Sequence, residues 1–204
     1  MLTPSLRALA VRGVPKTFRK GQRLIDEGDS GDSIYIITKG RLRVFGSGDN
    51  GREITYGTQG AGEYIGEMSL DGGPRSANVE ALEAIECVLI TRQTLLAHIA
   101  EHPEFAMELL AKVIRRARSM TLSTKQLALN DAYGRLVLLL NSLAEAQADG
   151  TRLIPERLTH QEIANRLGCS REMVSRLMKD LEGGGYIGEA VPHYRLLKAL
   201  PARW

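Results

Sequence analysis

The 204-residue chain is 43% hydrophobic and 25% charged, which is the composition of an ordinary soluble globular protein with room for one large or two small domains. Its net charge of +3 is too small to indicate a polyanionic partner by itself. The longest apolar runs, such as "LVLLL" at 136–140, have only about five residues, so we expect no membrane span and a cytoplasmic protein.

The two cysteines, Cys87 and Cys169, lie far apart in the sequence. Neither has a cysteine or histidine neighbour at metal-ligand spacing, which argues against a disulfide framework and against a structural zinc site. We therefore predict no metal and no catalytic cofactor.

Residues 14–98 carry the signals of short strands separated by turns. Apolar and polar residues alternate in "DSIYIITKGRLRVF" (32–45), the pattern of half-buried strands, and Gly40 marks a turn or bulge within it. The segment "GSGDNG" (46–51) predicts a hairpin turn, since Asn and Gly tolerate positive φ. Further short strands over "ITYG", "ANVEAL" and "ECVLI" favour a β-sandwich or β-roll.

Within this region, the segment "GEMSLDGGPRS" (66–76) places a carboxylate, a guanidinium and a hydroxyl around a glycine-rich connection. A surface turn with an exposed arginine is the simplest interpretation. By themselves, the residue types allow no more than a polar turn.

A long helix is predicted after His102, because residues 103–129 contain no glycine and their only proline stands at the start. One set of its residues follows alternating spacings of four and three, which is a heptad pattern and predicts that two such helices pair along their length. This set, which we call the helix seam, consists of Ala106, Leu110, Val113, Ala117, Met120, Thr124 and Leu127. A helix buried against its own domain is the alternative, and residues 130–134 are a candidate hinge.

From residue 135 the pattern is helical and then ends in a short β-hairpin. The segment 134–147 predicts an apolar helix, Thr159 and Glu162 form a capping box for the next, and Ser170 caps a third after Gly168. The segment "YIGEAVPHYRLL" predicts a hairpin. Two short helices joined by "GCS" and followed by a hairpin are typical of a winged helix-turn-helix.

The last of these helices has an apolar stripe and an opposite polar face. Glu172, Arg176 and Lys179 lie opposite the stripe, with Ser175 beside them, and Arg171 stands at the first helical position. An arginine fork matches the O6 and N7 acceptors of guanine, and a glutamate accepts from the cytosine amino group. The alternative is a solvated face with pairs such as Glu172 and Arg176.

The segment "LTHQEIANRLGCSREMVSRLMKDLEGGGYI" closely resembles the helix-turn-helix of the CRP/FNR family, in its cyclic-AMP receptor protein branch. The resemblance implies that Arg171, Glu172 and Arg176 contact bases of a half-site like TGTGA. It also implies phosphate contacts from the flanking residues, which position the protein without specifying sequence. These are Thr159, His160, Gln161, Ser170, Met173 and Lys179.

The segment 65–81 resembles the phosphate-binding cassette of cyclic-nucleotide-binding domains, with its pattern G-E-x-x-L, a short loop and R-[ST]-A. The ligand-binding residues implied are Gly66, Glu67, Met68, Arg75 and Ser76, and backbone N–H groups near Gly66 and Ser76 would approach the ligand. Arg75 would pair with the charge of a cyclic phosphodiester, Ser76 would donate through its hydroxyl, and Glu67 would accept from the ribose 2′-OH. In the family a Thr-Ser pair on the long helix also holds the base. Met120 and Thr121 occupy those positions here, and the loop between Glu67 and Arg75 is two residues shorter.

These departures leave the ligand open, with cAMP first and cGMP, another nucleotide or a degenerate pocket as alternatives. The chain lacks the cysteine cluster of an iron–sulfur sensor. Cyclic di-GMP and haem stay alternatives, haem because the chain has His98, His102, His160 and His193, although none of these has a context that indicates it.

The resemblance covers nearly the whole chain and implies an α+β protein of three parts. These are a cyclic-nucleotide-binding β-roll over 1–100, a dimerisation helix over 101–130 and a winged helix-turn-helix DNA-binding domain over 131–204. We expect a homodimeric transcription regulator, gated by a cyclic nucleotide, that binds a pseudo-palindromic operator on double-stranded DNA. The loop 148–155 lies where related activators touch RNA polymerase.

Two other classes of function compete with this one. A constitutive DNA-binding regulator would keep the DNA face and have a vestigial pocket. An enzyme such as a phosphodiesterase would need a metal cluster or an activated nucleophile beside Glu67 and Arg75, and the sequence offers neither.

Overall fold

The computed structural model describes residues 2–48, 51–190 and 193–201. Its contacts divide the chain into two compact units, 1–116 and 117–204, and the boundary falls within one long helix. None of the described helices is long and apolar enough to cross a membrane.

Among its described residues, the first unit contains eight strands in two antiparallel four-stranded sheets, ordered β1-β8-β3-β6 and β2-β7-β4-β5. This arrangement confirms the β-roll predicted for the N-terminal part. The strands are β1 (Val14–Phe18), β2 (Arg23–Ile25), β3 (Ser33–Lys39), β4 (Arg41–Ser47), β5 (Glu53–Gly60), β6 (Tyr64–Ile65), β7 (Asn78–Ala81) and β8 (Ile85–Thr91).

The alternating pattern of β3 and β4 places their apolar residues in the core. Ile34 and Ile36 of β3 and Leu42 of β4 are fully buried, as expected for strands with one face inside. Gly40 joins the two strands with a φ of 87°. Strands β4 and β5 pair at Ser47 and Glu53, while residues 49 and 50 of the predicted turn between them lie outside the described residues.

Three α-helices of the described part of the chain belong wholly or partly to the first unit: α1 (Pro4–Ala10), α2 (Arg92–Glu101) and α3 (Glu104–Leu129). The long helix α3 confirms the helix predicted after His102. The prediction that strands continue to residue 98 was wrong, because β8 ends at Thr91, whose hydroxyl caps α2 by accepting from the N–H of Thr94 at 3.2 Å. Neither α1 nor α2 was predicted, since each buries only two residues and so has a weak periodic signal.

In the part that the structure describes, the second unit contains the end of α3, three further helices and a four-stranded antiparallel sheet ordered β11-β12-β10-β9. Its elements are α4 (Ala132–Leu143), β9 (Glu145–Ala146), β10 (Arg152–Ile154), α5 (His160–Leu167), α6 (Arg171–Gly183), β11 (Ile187–Ala190) and β12 (His193–Leu196). The predicted hairpin is β11 and β12, with residues 191 and 192 of its turn outside the described residues.

Three boundary predictions in this unit need correction. The apolar helix ends at Leu143, and Glu145 and Ala146 form a strand instead of its last turn. The candidate hinge is shorter than 130–134, because Asp131 caps α4 by accepting from the N–H of Gly134 at 2.7 Å and Ala132–Gly134 are helical. Part of the loop 148–155 is also a strand, since Arg152–Ile154 pair with β12 and β9.

The helix-turn-helix forms as its local signals predict. Thr159 and Glu162 make a reciprocal capping box at the start of α5, and Gly168 ends that helix in the left-handed conformation with a φ of 66°. The Ser170 hydroxyl accepts from the N–H of Met173 at 3.2 Å and caps α6. Val174, Met178 and Leu181 of α6 are fully buried against Ile163 and Leu167 in one hydrophobic cluster, and Leu177 packs at its margin.

Candidate functional site

The candidate ligand site in the first unit is built around a left-handed glycine. Gly66 has a φ of 89° and precedes a short 3-10 helix, Glu67–Ser69, which turns the chain away from β6. A side chain at Gly66 would place its Cβ 2.7 Å from Nη1 of Arg75 and 2.8 Å from the carbonyl oxygen of Ser33. Only glycine fits this backbone conformation and this close approach.

Arg75 is held inside the protein by several acceptors. The residue is 8% exposed, and its Nη1 donates to the carbonyl oxygens of Ser33 and Gly66 and to the hydroxyl of Ser69, at 2.8 to 2.9 Å. Its Nη2 donates to the Ser33 hydroxyl at 3.1 Å. The surface turn with an exposed arginine is therefore excluded, and the positive charge is fixed beside the 3-10 helix.

A second arginine reaches this site from the long helix. Arg116 of α3 forms an ion pair with Glu67, and its Nη2 donates to the carbonyl oxygen of Tyr64 at 3.1 Å. The Glu67 side chain is 1% exposed, and its Oε2 has no hydrogen-bond partner among the residues that the structure describes. A buried acceptor without a donor costs free energy, so a ligand hydroxyl that donated to it would be stabilised.

These groups line a cavity of about 50 Å³. Its charged lining residues are Glu67, Arg75 and Arg116, which together carry an excess of one positive charge. Pockets that enclose a small organic ligand usually have roughly 300–1,000 Å³. A nucleotide would therefore enter this cavity only if lining side chains such as the 45% exposed Met68 moved aside, or if part of the ligand stayed outside.

The other residues predicted to contact the ligand have different surroundings. Ser76 is exposed, and its hydroxyl donates to the sulfur of Met68 at 3.6 Å. Met120 and Thr121 belong to the second unit, where Met120 is 52% exposed and the Thr121 hydroxyl donates to the carbonyl oxygen of Ala117 at 3.0 Å. Their role toward a base stays a prediction.

The candidate DNA-binding face lies on α6 in the second unit. Arg171, Glu172, Arg176 and Lys179 are exposed on the side opposite the buried stripe. Hydrogen bonds from the backbone N–H of Glu172 and from the Ser170 hydroxyl lower the pKa of the Glu172 carboxyl, and the nearby Arg171 and Arg176 lower it further. Glu172 is thus an ionised acceptor at neutral pH, as contact with a cytosine amino group requires.

The predicted phosphate-contacting residues other than Lys179 lie at the start of α5 or α6. Thr159 and Ser170 use their hydroxyls as helix caps, and Gln161 donates to Asn165 at 2.8 Å. His160 lies 2.9 Å through its Nδ1 from the hydroxyl of Ser175 on α6. This contact ties the start of α5 to the exposed face of the candidate recognition helix.

Sequence reasoning missed the residues that arrange the candidate ligand site. Ser33 and Ser69 hold Arg75 from separate parts of the chain, and no local pattern marks them. Gly31 packs against the same guanidinium, since a Cβ there would lie 2.6 Å from its Nε and Nη2. Of these residues, Arg116 could have been found from the sequence. It stands one helical turn before Met120, a position predicted to contact the ligand, and on the same face of α3.

Comparison with known families gives two matches along the chain. Residues 15–102 match the cyclic nucleotide-binding domain, and residues 157–187 match the bacterial regulatory proteins of the crp family. The CRP-like cAMP-activated global transcriptional regulator of Mycobacterium tuberculosis is 31% identical over 187 residues, which cover 90% of this chain and 84% of that protein. The chain therefore belongs to the CRP/FNR family of transcription regulators.

Solved structures agree with this assignment. The catabolite activator protein of Thermus thermophilus is 30% identical with a TM-score of 0.57, and the match covers 97% of this chain and 92% of that one. The c-di-GMP responsive global regulator CLP of Xanthomonas campestris has a TM-score of 0.84 at 21% identity, covering 95% and 98% of the two chains, which shows the shared fold. The chain is thus a DNA-binding transcription regulator with a cyclic nucleotide-binding domain, and not an enzyme.

Proposed function

We propose that this protein is a homodimeric transcription regulator whose affinity for a pseudo-palindromic operator is controlled by cAMP bound in the first unit. The observation that carries the ligand assignment is the buried Oε2 of Glu67, which has no donor among the described residues and lines a cavity together with Arg75 and Arg116. A cyclic nucleotide offers a ribose hydroxyl that can donate to Glu67 and a single negative charge that can pair with Arg75 and Arg116.

The choice of cAMP rests on relatives. Several relatives that match most of this chain are named for cAMP, including the cyclic AMP receptor protein of Thermus thermophilus at 34% identity over 173 residues. The regulator CLP, named for c-di-GMP, shares the fold at lower identity. The residues at 120 and 121 differ from the family's Thr-Ser pair, so the base is the part of the ligand for which selectivity needs measurement.

The exposed seam of α3 supports assembly into a dimer. Leu110, Val113, Met120 and Leu127 are each more than 40% exposed, although they follow a heptad pattern. Such a stripe is stabilised when a second copy of the helix covers it. A two-fold dimer would present two α6 helices to half-sites about 34 Å apart, with Arg171, Glu172 and Arg176 toward base edges. RNA polymerase is the partner we propose for the 148–155 region.

A constitutive regulator is the second candidate, and the small cavity is the observation that favours it. Arg75 already satisfies four protein acceptors, and about 50 Å³ is too little for a nucleotide without rearrangement. In that case the cassette would be structural, and an effector such as cGMP, c-di-GMP or haem would be unnecessary or would bind elsewhere.

Two measurements on the full chain distinguish these candidates. Calorimetric titration with cAMP, cGMP and c-di-GMP should give saturable binding of cAMP, with at least a tenfold loss in Glu67→Gln, which removes the negative acceptor. An operator gel shift should then show stronger DNA binding with cAMP than without it. Equal DNA binding in both lanes, with no nucleotide bound in the calorimeter, would establish the constitutive alternative.

A further inference from the structure

Lys112 stands one turn before Arg116 on α3, and both cations donate to the same backbone oxygen. Nζ of Lys112 lies 3.0 Å from the carbonyl oxygen of Tyr64, and Nη2 of Arg116 lies 3.1 Å from it. Like charges four residues apart on a helix normally repel each other. Here the shared carbonyl and the ion pair of Arg116 with Glu67 hold the two cations together.

The Tyr64 ring adds a second contact to the same ammonium group. Nζ of Lys112 lies 3.7 Å from the ring centroid, within the range of a cation–π interaction. Tyr64 is 4% exposed, so this contact is partly desolvated. Lys112 is thus fixed to β6, directly before Gly66 and Glu67, although it does not line the cavity itself.

We infer that Lys112 is an electrostatic residue of the anion site, whose ammonium group, fixed by the carbonyl oxygen and the ring of Tyr64, supplies the third positive charge that favours a bound phosphodiester. The inference rests on the proposed function, since it concerns the same ligand. Without Lys112, the positive potential at the cavity would fall. A neutral Lys112 would lower the positive potential at the cavity in the same way, without any change in packing.

The surroundings of Lys112 give this role a pH signature. Burial, followed by repulsion from Arg116, lowers the pKa of Lys112 to about 8. The charged and titratable groups that face it come from its own helix and from the segment around β6, and they are Arg115, Arg116, Glu63, Glu67 and Tyr64. The two carboxylates oppose the shift but do not cancel it, and burial raises the pKa of Tyr64 to about 12, so the phenol stays neutral.

The sign of the linkage follows from this pKa. An anion in the cavity stabilises the protonated amine, so ligand binding should raise the pKa of Lys112 and take up protons at pH 8. As pH rises from 7 to 9 the free protein loses the charge, and we expect affinity for cAMP to fall by roughly three- to tenfold, which is the scale of one partly screened charge near the ligand.

Two substitutions make this role testable on the full chain. Lys112→Arg keeps the charge at every pH in the range, so its affinity for cAMP should be close to that of the unmodified protein at pH 7 and should not fall at pH 9. Lys112→Met removes the charge at similar length, so its affinity should be low and equal at both pH values. Lys39→Met, at a salt-bridged lysine with a 71% exposed side chain, is the matched control and should keep the unmodified pH dependence.

The number of protons that the protein takes up when cAMP binds is a second measurement, and it does not depend on the relative stabilities of the variants. Titration of cAMP into the unmodified protein at pH 8, in phosphate and in Tris, should show a fraction of a proton taken up, and Lys112→Arg should abolish it. A pH-independent affinity in the unmodified protein, or the same decline in all three variants, would overturn the role of Lys112 while leaving the ligand assignment intact. No binding of any cyclic nucleotide at pH 7 would overturn both.

Discussion

At the scale of single residues, the candidate ligand site depends on how one guanidinium is held. Arg75 combines a bond to a hydroxyl on β3, a bond to a hydroxyl in the 3-10 helix and two bonds to carbonyl oxygens. Each charge-assisted bond contributes roughly 1.5–3 kcal/mol in such surroundings. The orientation of Arg75 is therefore set by the protein before any ligand arrives, which lowers the cost of ordering it on binding.

Gly31 offers a direct test of this orientation. A methyl group in Gly31→Ala would lie 2.6 Å from the guanidinium nitrogens of Arg75 and would displace them. We expect cAMP affinity to fall about tenfold, the equivalent of one lost charge-assisted bond. The free energy of unfolding should also fall, by about 1.5–3 kcal/mol for each bond lost, because the displaced guanidinium gives up hydrogen bonds to Ser33 or Ser69.

Gly57→Ala is the matched control for this substitution, since a Cβ at that β5 position meets nothing within 4 Å. Calorimetric titration of both variants with cAMP checks the expectation. Equal affinities in the two variants would mean that the orientation of Arg75 does not limit binding.

His98 is fully buried, and neither of its ring nitrogens has a hydrogen-bond partner among the described residues. Its ring packs 5.2 Å from that of Phe105 and 4.7 Å from that of His102. Burial, then the proximity of His102 and Arg12, lowers the pKa of His98 below its ordinary 6.5, and the carboxylates of Glu101 and Glu104 oppose this effect.

This lowered pKa predicts that acid destabilises the first unit. The unfolded chain takes up a proton near pH 6.5 while the folded chain resists it, so the free energy of unfolding should fall as pH drops below about 6.5. The loss is at most about 1.4 kcal/mol per pH unit. His98→Phe should remove most of this slope in urea unfolding curves recorded at pH 7, 6 and 5.

His102→Gln serves as the comparison for His98, since the His102 side chain is 44% exposed and contacts Glu104. Most of the acid dependence should survive in this variant. If the slope disappears in His102→Gln and persists in His98→Phe, then His102 and not His98 causes the acid dependence.

At the scale of elements, the caps and glycines of the helix-turn-helix act locally and were readable from the sequence. Thr159 with Glu162, Gly168 and Ser170 each act within one turn of the chain. The burial of the α6 stripe then leaves the opposite face exposed, because a helix of 13 residues presents both faces with a period of 3.6. The geometry of this face follows from packing, whereas its chemistry follows from residue identity.

Arg176 and Lys179 should affect DNA binding in different ways. Arg176→Ala removes a fork that matches guanine, so we expect a loss of about 1–3 kcal/mol of discrimination at one base pair. Lys179→Ala removes a charge from a phosphate contact, so binding should weaken similarly on all sequences, with a smaller salt dependence. Anisotropy titrations with an operator and its single-base variants measure both, and uniform weakening by Arg176→Ala would contradict base readout there.

At the scale of the whole molecule, the apolar seam of α3 is exposed in the single chain, and a second chain that covers it would explain its composition. Among the described residues, Leu110 on the seam is 49% exposed and Leu122 off the seam is 61% exposed. Substitution of each of these two leucines therefore distinguishes a specific interface along the seam from non-specific hydrophobic association.

Leu110→Glu should convert the dimer into monomers at micromolar concentration, because it places a charge at a position that the partner helix would cover. Leu122→Glu should leave the dimer intact. Sedimentation velocity of both variants provides the measurement. Dissociation by both substitutions, or by neither, would indicate that the chains associate through another surface.

The sequence by itself determined the order of the elements, the β-roll, the long helix, the caps of α5 and α6 and the residue types of the cassette. These features depend on periodicity, on glycine conformation and on hydrogen bonds between residues a few positions apart. The weakly periodic α1 and α2 and the short strands β9 and β10 were missed, because strand pairing such as that of β10 with β12 stabilises them only after the chain has folded.

Only the tertiary structure decided which groups meet at the candidate ligand site. Ser33 lies 42 residues from Arg75, and Arg116 lies 49 residues from Glu67. Contacts at such separations depend on the pairing of β3 with β6 and on the position of α3 beside them, and no local pattern encodes that geometry. The orphan carboxylate oxygen of Glu67 and the shared carbonyl of Tyr64 follow from that arrangement, because burial removes the water that would otherwise satisfy these groups.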